Sequence, residues 1–284
     1  MTSRALAAAC LALAGLGAVA CGGTAGPQAD AATAPAARAP KTAAAPASSA
    51  PQTATPAAAG QSEVKPLSGK VIVIDPGHNG GNYRDPAAIN KKVNVLTQWK
   101  ACDTTGTATN DGYSEAAFTW DVAKRMVKLL KAEGATVKLT RRDNTSVGPC
   151  ITQRAAIGND AHADAAISVH ADGAGAADRG FHVIMPKKIR GPVDPVVGDS
   201  KRLGLAVRKA FRDGTGLPYS TYIGRDALDY RSDLGGLNLS TVPKIFIETG
   251  NMRNASDAAR LKDPAFRQRI AESLAKGLRS YLAP

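Results

Sequence analysis

Val71-Ile72-Val73-Ile74-Asp75-Pro76-Gly77-His78-Asn79-Gly80 is the stretch whose reading decides the fold. Four consecutive β-branched residues predict a short strand with both faces covered, the habit of strands inside a parallel sheet. Pro76 and Gly77 then stop the strand and leave His78 at its exit. Ligands of open α/β sheets bind beyond the carboxyl ends of strands, so a histidine there is a candidate metal ligand or acid–base group. The alternative is a turn histidine of no consequence, and only the rest of the chain decides between them.

The pattern returns twice. An apolar run at 165–169 leads directly into His170-Ala171-Asp172-Gly173, and another at 242–247 delivers Glu248 before Thr249-Gly250-Asn251. Two of the chain's four histidines thus sit at equivalent strand exits. Between them, residues 116–133 carry Phe118, Val122, Met126, Leu129 and Leu130 at helical spacing, with Ser114 or Asp111 as cap and Gly134 as stop. Glu115 falls in the first turn of that helix, where a carboxylate also serves simply to complement the helix dipole.

The remaining pattern adds strands at 136–140 and 180–185 and helices at 152–161, 199–213 and 264–282. Residues 80–112 read as one long loop, and the Gly/Tyr/Asp-rich segment 214–236 as the border of a cleft. His182 lies among apolar strand residues and His162 in a loop, so both read as packed or surface side chains. Strands alternating with helices predict an α/β fold: a twisted, mostly parallel sheet flanked by helices on both faces, in a single catalytic domain.

Composition bounds the setting. Residues 1–20 hold one basic residue, Arg4, and then an unbroken run of apolar and small residues ending in Ala18-Val19-Ala20, the form of a signal peptide. Cys21 follows at once, so a lipid anchor at that cysteine is expected beside the simpler reading of free secretion. Residues 21–64 are dominated by Ala, Pro, Thr, Ser and Gly, cannot bury enough apolar surface to fold, and read as a disordered tether. The domain proper is then 65–284. Its two cysteines, Cys102 and Cys150, point to a disulfide in an exported chain, with two free thiols as the alternative. A net charge of +12 favours an anionic partner such as wall polymer or lipid headgroups over nucleic acid.

Together, His78, Glu115, His170 and Glu248 offer two imidazoles, a third ligand and a spare carboxylate, the set a catalytic zinc site needs when one position is left to water. The segments Ile-Asp-Pro-Gly-His at His78, Tyr-Ser-Glu at Glu115, Ser-Val-His-Ala-Asp at His170 and Ile-Glu-Thr-Gly-Asn at Glu248 resemble the four signatures of the zinc-dependent N-acetylmuramoyl-L-alanine amidases of the AmiC type. The resemblance runs over about residues 70–281. It extends to the single-domain exported amidases of mycobacteria and related actinobacteria through the Cys102 loop, the Gly-Pro-Cys at Cys150 and Arg-Ser-Asp-Leu-Gly-Gly-Leu-Asn at Arg231.

That resemblance implies one zinc ion per chain held by His78, Glu115 and His170, with Glu248 as catalytic base and acid. The implied reaction is hydrolysis of the amide between the lactyl group of N-acetylmuramic acid and L-alanine in peptidoglycan or muropeptides, by zinc-activated water. Asp75, Asn251 and Arg253 are candidates for orienting substrate or ligands, each with a structural role as its alternative. No plug helix over the cleft is recognised, which suggests a site open without an activator. A monomer at the outer face of the membrane or in the wall is expected. Two further readings stand beside the amidase: a wall-binding lipoprotein that has lost activity, and a zinc carboxypeptidase acting on the stem peptide.

Overall fold

The computed structural model describes residues 64–283. The expected signal peptide, the lipid anchor at Cys21 and all of the tether but Val64 lie outside the described residues. The elements run β1 (Val71–Pro76), α1 (Pro86–Asn90), β2 (Lys92–Asn94), β3 (Trp99–Ala101), α2 (Glu115–Ala132), β4 (Thr136–Leu139), α3 (Ile151–Asp160), β5 (Ala165–Asp172), β6 (His182–Pro186), α4 (Val197–Thr215), β7 (Leu228–Arg231), α5 (Gly235–Asn238), β8 (Lys244–Asn251), α6 (Ala255–Lys262) and α7 (Pro264–Leu282). Six strands form one sheet in the order β4-β1-β5-β8-β6-β7, and β2 and β3 pair as a separate hairpin. All neighbours in the large sheet are parallel except β6 against β8.

Side chains of a strand alternate between faces, so each strand splits its residues into two sets. On one face Ile72, Ile74, Ile167, Val169, Val183, Met185, Ile245 and Ile247 are fully buried and join the principal core. Phe118, Val122, Met126 and Leu130 of α2, Leu203, Val207 and Phe211 of α4, and Ile270, Leu274 and Leu278 of α7 cover them. Each such side chain contributes roughly 1.5–3 kcal/mol by leaving water. The other face begins as a small apolar cluster of Val73, Ala166 and Val242 against Ile157 of α3. It then turns polar: Asp75, Ser168 and Lys244 are in step with Val73 and Ala166 and are equally buried. β1 is therefore covered on both faces as expected, but one of its two surroundings is ionic.

Several elements differ from the sequence expectation. The loop foreseen at 80–112 contains α1 and the β2–β3 hairpin, because Asp85 caps a helical turn at Ala88 N and Val95 and Gln98 close a backbone turn. The segment 214–236 contains β7, whose Leu228-Asp229-Tyr230-Arg231 pairs with β6 despite its polar composition. α6 was not foreseen either. β5 and β8 each run past the expected exit, so His170 and Glu248 lie within the last strand residues and not after them. Among the described residues no helix is long and apolar enough to cross a membrane.

Candidate metal centre

Glu115 opens α2 under the Ser114 cap, whose hydroxyl accepts from Ala117 N at 3.3 Å. A cap of that kind is worth about 1 kcal/mol, and here it fixes where the first turn points. Glu115 is only 4% exposed, and its side chain reaches back beneath the sheet end. Its Oε1 lies 2.9 Å from His170 Nδ1 and its Oε2 lies 3.2 Å from His78 Nε2. The same oxygens accept from Ala171 N at 3.2 Å and Thr107 N at 3.0 Å. One ligand atom from each of His78, Glu115 and His170 falls within 4.8 Å of the others. The three residues expected from the sequence are thus gathered at one point, by the ends of β1, α2 and β5.

The two rings stand edge to face with centroids 5.0 Å apart, and His170 also stacks on Phe246 at 5.3 Å. His78 adopts φ 58°, a left-handed conformation unusual for a residue with a side chain and of the kind that persists where surroundings enforce it. Two glycines leave room for this packing. A Cβ on Gly77 would come within 2.3 Å of the His170 ring, and one on Gly106, at φ +74°, would meet Glu115 and His78 below 3 Å. Gly77→Ala is therefore expected to displace His170 and weaken metal binding by about 10- to 100-fold while the fold survives, because its effect resembles removal of an outer support. Chelator competition beside circular dichroism reads this, and unaltered affinity refutes it.

The electrostatics follow from burial against pairing. Burial alone would raise the Glu115 carboxyl, but His78 and His170 outweigh it and hold it below the usual carboxylate range. Burial likewise opposes a charge on His78, yet Glu115 and Asp103 prevail and lift the imidazole to about 10. Glu248 behaves oppositely: burial pushes its carboxyl well up, and the neighbouring Glu115 and Asp172 carboxylates add to the rise. Glu248 is the register partner of His170 on β5 and of His182 on β6. Its Oε2 is shut off from solvent and has no hydrogen-bond partner.

The orienting candidates part company. Asp75 is buried beside Arg154 and Lys244 and reaches His170 through the Ser168 hydroxyl. Asn251 is fully buried and donates to the carbonyls of Gly175 and Asp178, so it braces a loop and does not face the site. Arg253 is exposed, donates to Ala108 O and borders a cleft with Gly106 and Thr107. A second cavity of about 230 Å³ adjoins the histidines and is lined by Phe246, Leu234, Ile151 and Lys100 among others.

Sequence reasoning passed over Asp103, Ser168, Arg154 and the placing of His182. His182 is packed, as expected, but its burial is at the shoulder of Glu248, with the Tyr222 ring 6.0 Å away. The strand period offered a signal: Phe181 and Val183 face the core, which turns His182 to the face that Glu248 uses. Tyr222 donates to Asp172 Oδ2 at 3.0 Å, closing that side of the site.

A family model described as N-acetylmuramoyl-L-alanine amidase matches residues 72–280. The N-acetylmuramoyl-L-alanine amidase Rv3717 of Mycobacterium tuberculosis is 38% identical over 219 residues, spanning 76% of this chain and 88% of that one. The crystal structure of the N-acetylmuramyl-L-alanine amidase Ami1 of Mycobacterium smegmatis superposes with a TM-score of 0.72 at 37% identity, covering 76% of this chain and 98% of that one. The amidase AmiC2 of Nostoc punctiforme, at 23% identity and a TM-score of 0.58 over 76% and 99% of the two chains, shares the fold.

Proposed function

This chain belongs to the N-acetylmuramoyl-L-alanine amidase family, and on that footing we propose that it is a zinc-dependent peptidoglycan hydrolase. It cleaves the amide between the lactyl group of N-acetylmuramic acid and the L-alanine of the stem peptide. The observation that carries the reading is the adjacency of His170 and Glu248 on neighbouring strands, one facing Glu115 and the other with an unpartnered carboxylate oxygen.

Two imidazole nitrogens and one carboxylate oxygen within 4.8 Å suit a zinc ion that keeps an open position, so His78, Glu115 and His170 would hold it. When bound, zinc supplies a Lewis acid that makes water nucleophilic near neutral pH and polarises the scissile carbonyl. Glu248 takes the proton released by the attacking water, holds it in surroundings that favour the neutral acid, and returns it to the departing alanine nitrogen. The products are a glycan with a free lactyl carboxylate and a peptide with a free L-alanine amine.

His78 gives the site a pH dependence. At pH 7 the metal-free imidazole is protonated, since its value stands at about 10, and zinc must displace that proton. Zinc affinity is expected to rise with pH, by about tenfold per unit while one proton is exchanged, over the range below the raised value. Calorimetry in buffers of different ionisation heat measures the proton released; an affinity flat from about pH 6 to 8 refutes this.

Cys102 and Cys150 are unbonded but lie against one another, and burial together with the neighbouring sulfur pushes the Cys102 thiol up to about 12. In the exported protein we expect them to join, stabilising the domain by about 2–4 kcal/mol. Mass spectrometry without reduction then finds the two peptides linked; two alkylatable thiols in protein purified from the wall refute it. The same reading takes residues 1–20 as a signal peptide, Cys21 as a lipid anchor on the tether, and the catalytic domain as a monomer at the outer membrane face or in the wall.

The test is digestion of purified peptidoglycan by the zinc-loaded and the chelated protein. New L-alanine amino termini that appear with zinc and vanish with chelator are the expected result. Release of a C-terminal amino acid with the glycan–peptide bond whole would make it a carboxypeptidase, and wall binding without any new termini would make it an inactive binder.

A further inference from the structure

Arg154 of α3 stands behind the metal centre, 4% exposed on its side chain, and spends every one of its five guanidinium N–H groups. Nε donates to Pro149 O at 2.9 Å, Nη1 to Asp75 Oδ1 and Pro76 O at 2.9 Å each, and Nη2 to His78 O at 2.9 Å and Asp103 Oδ2 at 3.0 Å. Two of these bonds clamp the carbonyls on either side of Gly77, in the turn where His78 takes its left-handed φ of 58°. The other two side-chain bonds end on carboxylates, and each carboxylate leads to a different histidine.

On one side, Asp103 Oδ1 lies 3.3 Å from His78 Nδ1, the ring nitrogen turned away from Glu115. The carbonyl of Thr104 at 3.2 Å and its hydroxyl at 3.1 Å face the same nitrogen, so two acceptors and a hydroxyl crowd that edge of the ring. On the other side, Asp75 Oδ2 accepts from Ser168 Oγ at 2.9 Å, and Ser168 Oγ is 3.1 Å from His170 Nε2, again the nitrogen turned away from Glu115. Asp75 is steadied further by the Thr140 hydroxyl at 2.6 Å and Lys244 Nζ at 3.4 Å. We propose that Arg154 is a positioning residue that sets both histidines at once, His78 through Asp103 and the main-chain clamp, His170 through Asp75 and Ser168.

The chemistry of the fork explains why arginine stands there. A planar guanidinium meets two carboxylates and three carbonyls in fixed directions, whereas a lysine ammonium has three donors on one atom and cannot span both arms. Arg154 pairs with both Asp75 and Asp103, and Lys244 with Asp75, so neither carboxylate is buried without a cationic partner. The acceptors Asp103 Oδ1 and Thr104 O suit a donor at His78 Nδ1, and Ser168 Oγ, which itself donates to Asp75, suits one at His170 Nε2, so that with zinc bound the inner nitrogen of each would face the metal. Outer partners of this kind typically govern metal affinity by 10- to 100-fold.

This inference rests on the zinc site proposed above, and the experiment separates the two. Zinc affinity is measured by chelator competition, and the visible spectrum of the cobalt-substituted protein is recorded, for wild type, Arg154→Lys, Ser168→Ala and Asp103→Asn. Arg154→Lys, still folded by circular dichroism, is expected to bind zinc about 10- to 100-fold more weakly with an altered cobalt spectrum, and each single-arm variant to lose less. A folded Arg154→Lys protein with wild-type affinity and cobalt spectrum overturns the proposal. Wild type that binds no zinc instead sinks the underlying reading. Should Arg154→Lys fail to fold, imidazole ¹⁵N–¹H NMR of the zinc-loaded wild type decides. His78 protonated at Nδ1 and His170 at Nε2 support the two arms, and the opposite tautomer at either histidine overturns them.

Discussion

Glu248→Gln is expected to lower amide hydrolysis by about 10²–10⁴-fold, the range that a positioned general base supplies. The amide has the same shape as the carboxyl but cannot take up a proton, so the loss falls on kcat. Zinc content should stay at the wild-type level, because Glu248 is not among the three clustered donors. The environment argues for this division of labour. Glu115 is the more deeply buried of the two but faces two histidines and stays ionised, whereas Glu248 has an orphaned oxygen and carboxylate neighbours that favour its neutral form. Two carboxyls of one site are thereby set to different tasks, one to hold charge and one to carry a proton. Muropeptide turnover measured beside metal analysis checks it; activity within about tenfold of wild type at equal metal content refutes the role.

Glu115→Gln is expected to cost more. The carboxylate contacts both histidines and accepts from two main-chain amides, and glutamine would retain one oxygen and present an NH₂ where His170 or His78 needs an acceptor or a metal. Loss of zinc affinity beyond the roughly 100-fold that outer partners command is expected, with activity lost in step. Chelator competition gives the affinity, and excess zinc in the assay separates weak binding from a defect in chemistry. A variant that binds zinc as tightly as wild type would remove Glu115 from the ligand set. Unlike Glu248→Gln, this change alters metal content, so the pair of variants distinguishes ligand from base.

Much of the site was legible because its residues stand at recognisable places. His78 follows a β-branched run, His170 and Glu248 follow largely apolar strand segments, and Glu115 follows a capping serine; each position is marked by a local rule of strand or helix ends. Asp103 was not legible, since nothing in a Gly/Thr-rich loop says which acidic residue will turn inward. Arg154 reads as one more helix residue until α3 is docked on the face that holds Asp75. His182 reads as a packed strand residue from its apolar neighbours, although the strand period turns it to the opposite face from Phe181 and Val183. β7 escaped because Leu228-Asp229-Tyr230-Arg231 lacks an apolar run, and its pairing with β6 comes from the sheet edge it meets.

The sequence by itself determined the α/β class, the last helix, and the four residues that carry the proposed chemistry. Those follow from periodicity, composition and end signals, which are local properties of the chain. Only the tertiary structure decided that His78, Glu115 and His170 come to one point, that Glu248 pairs in register with His170 on one side and His182 on the other, and that one buried arginine reaches the carboxylates behind both His78 and His170. These depend on strand order and on which face each residue takes in register, and such relations arise when segments far apart in the chain pair and exclude water. The strand at residues 71–76 shows both limits: its apolar run was readable as a buried strand, but the partners of Asp75 came from elsewhere, the hydroxyls of Thr140 after β4 and Ser168 of β5 and the charges of Arg154 on α3 and Lys244 on β8.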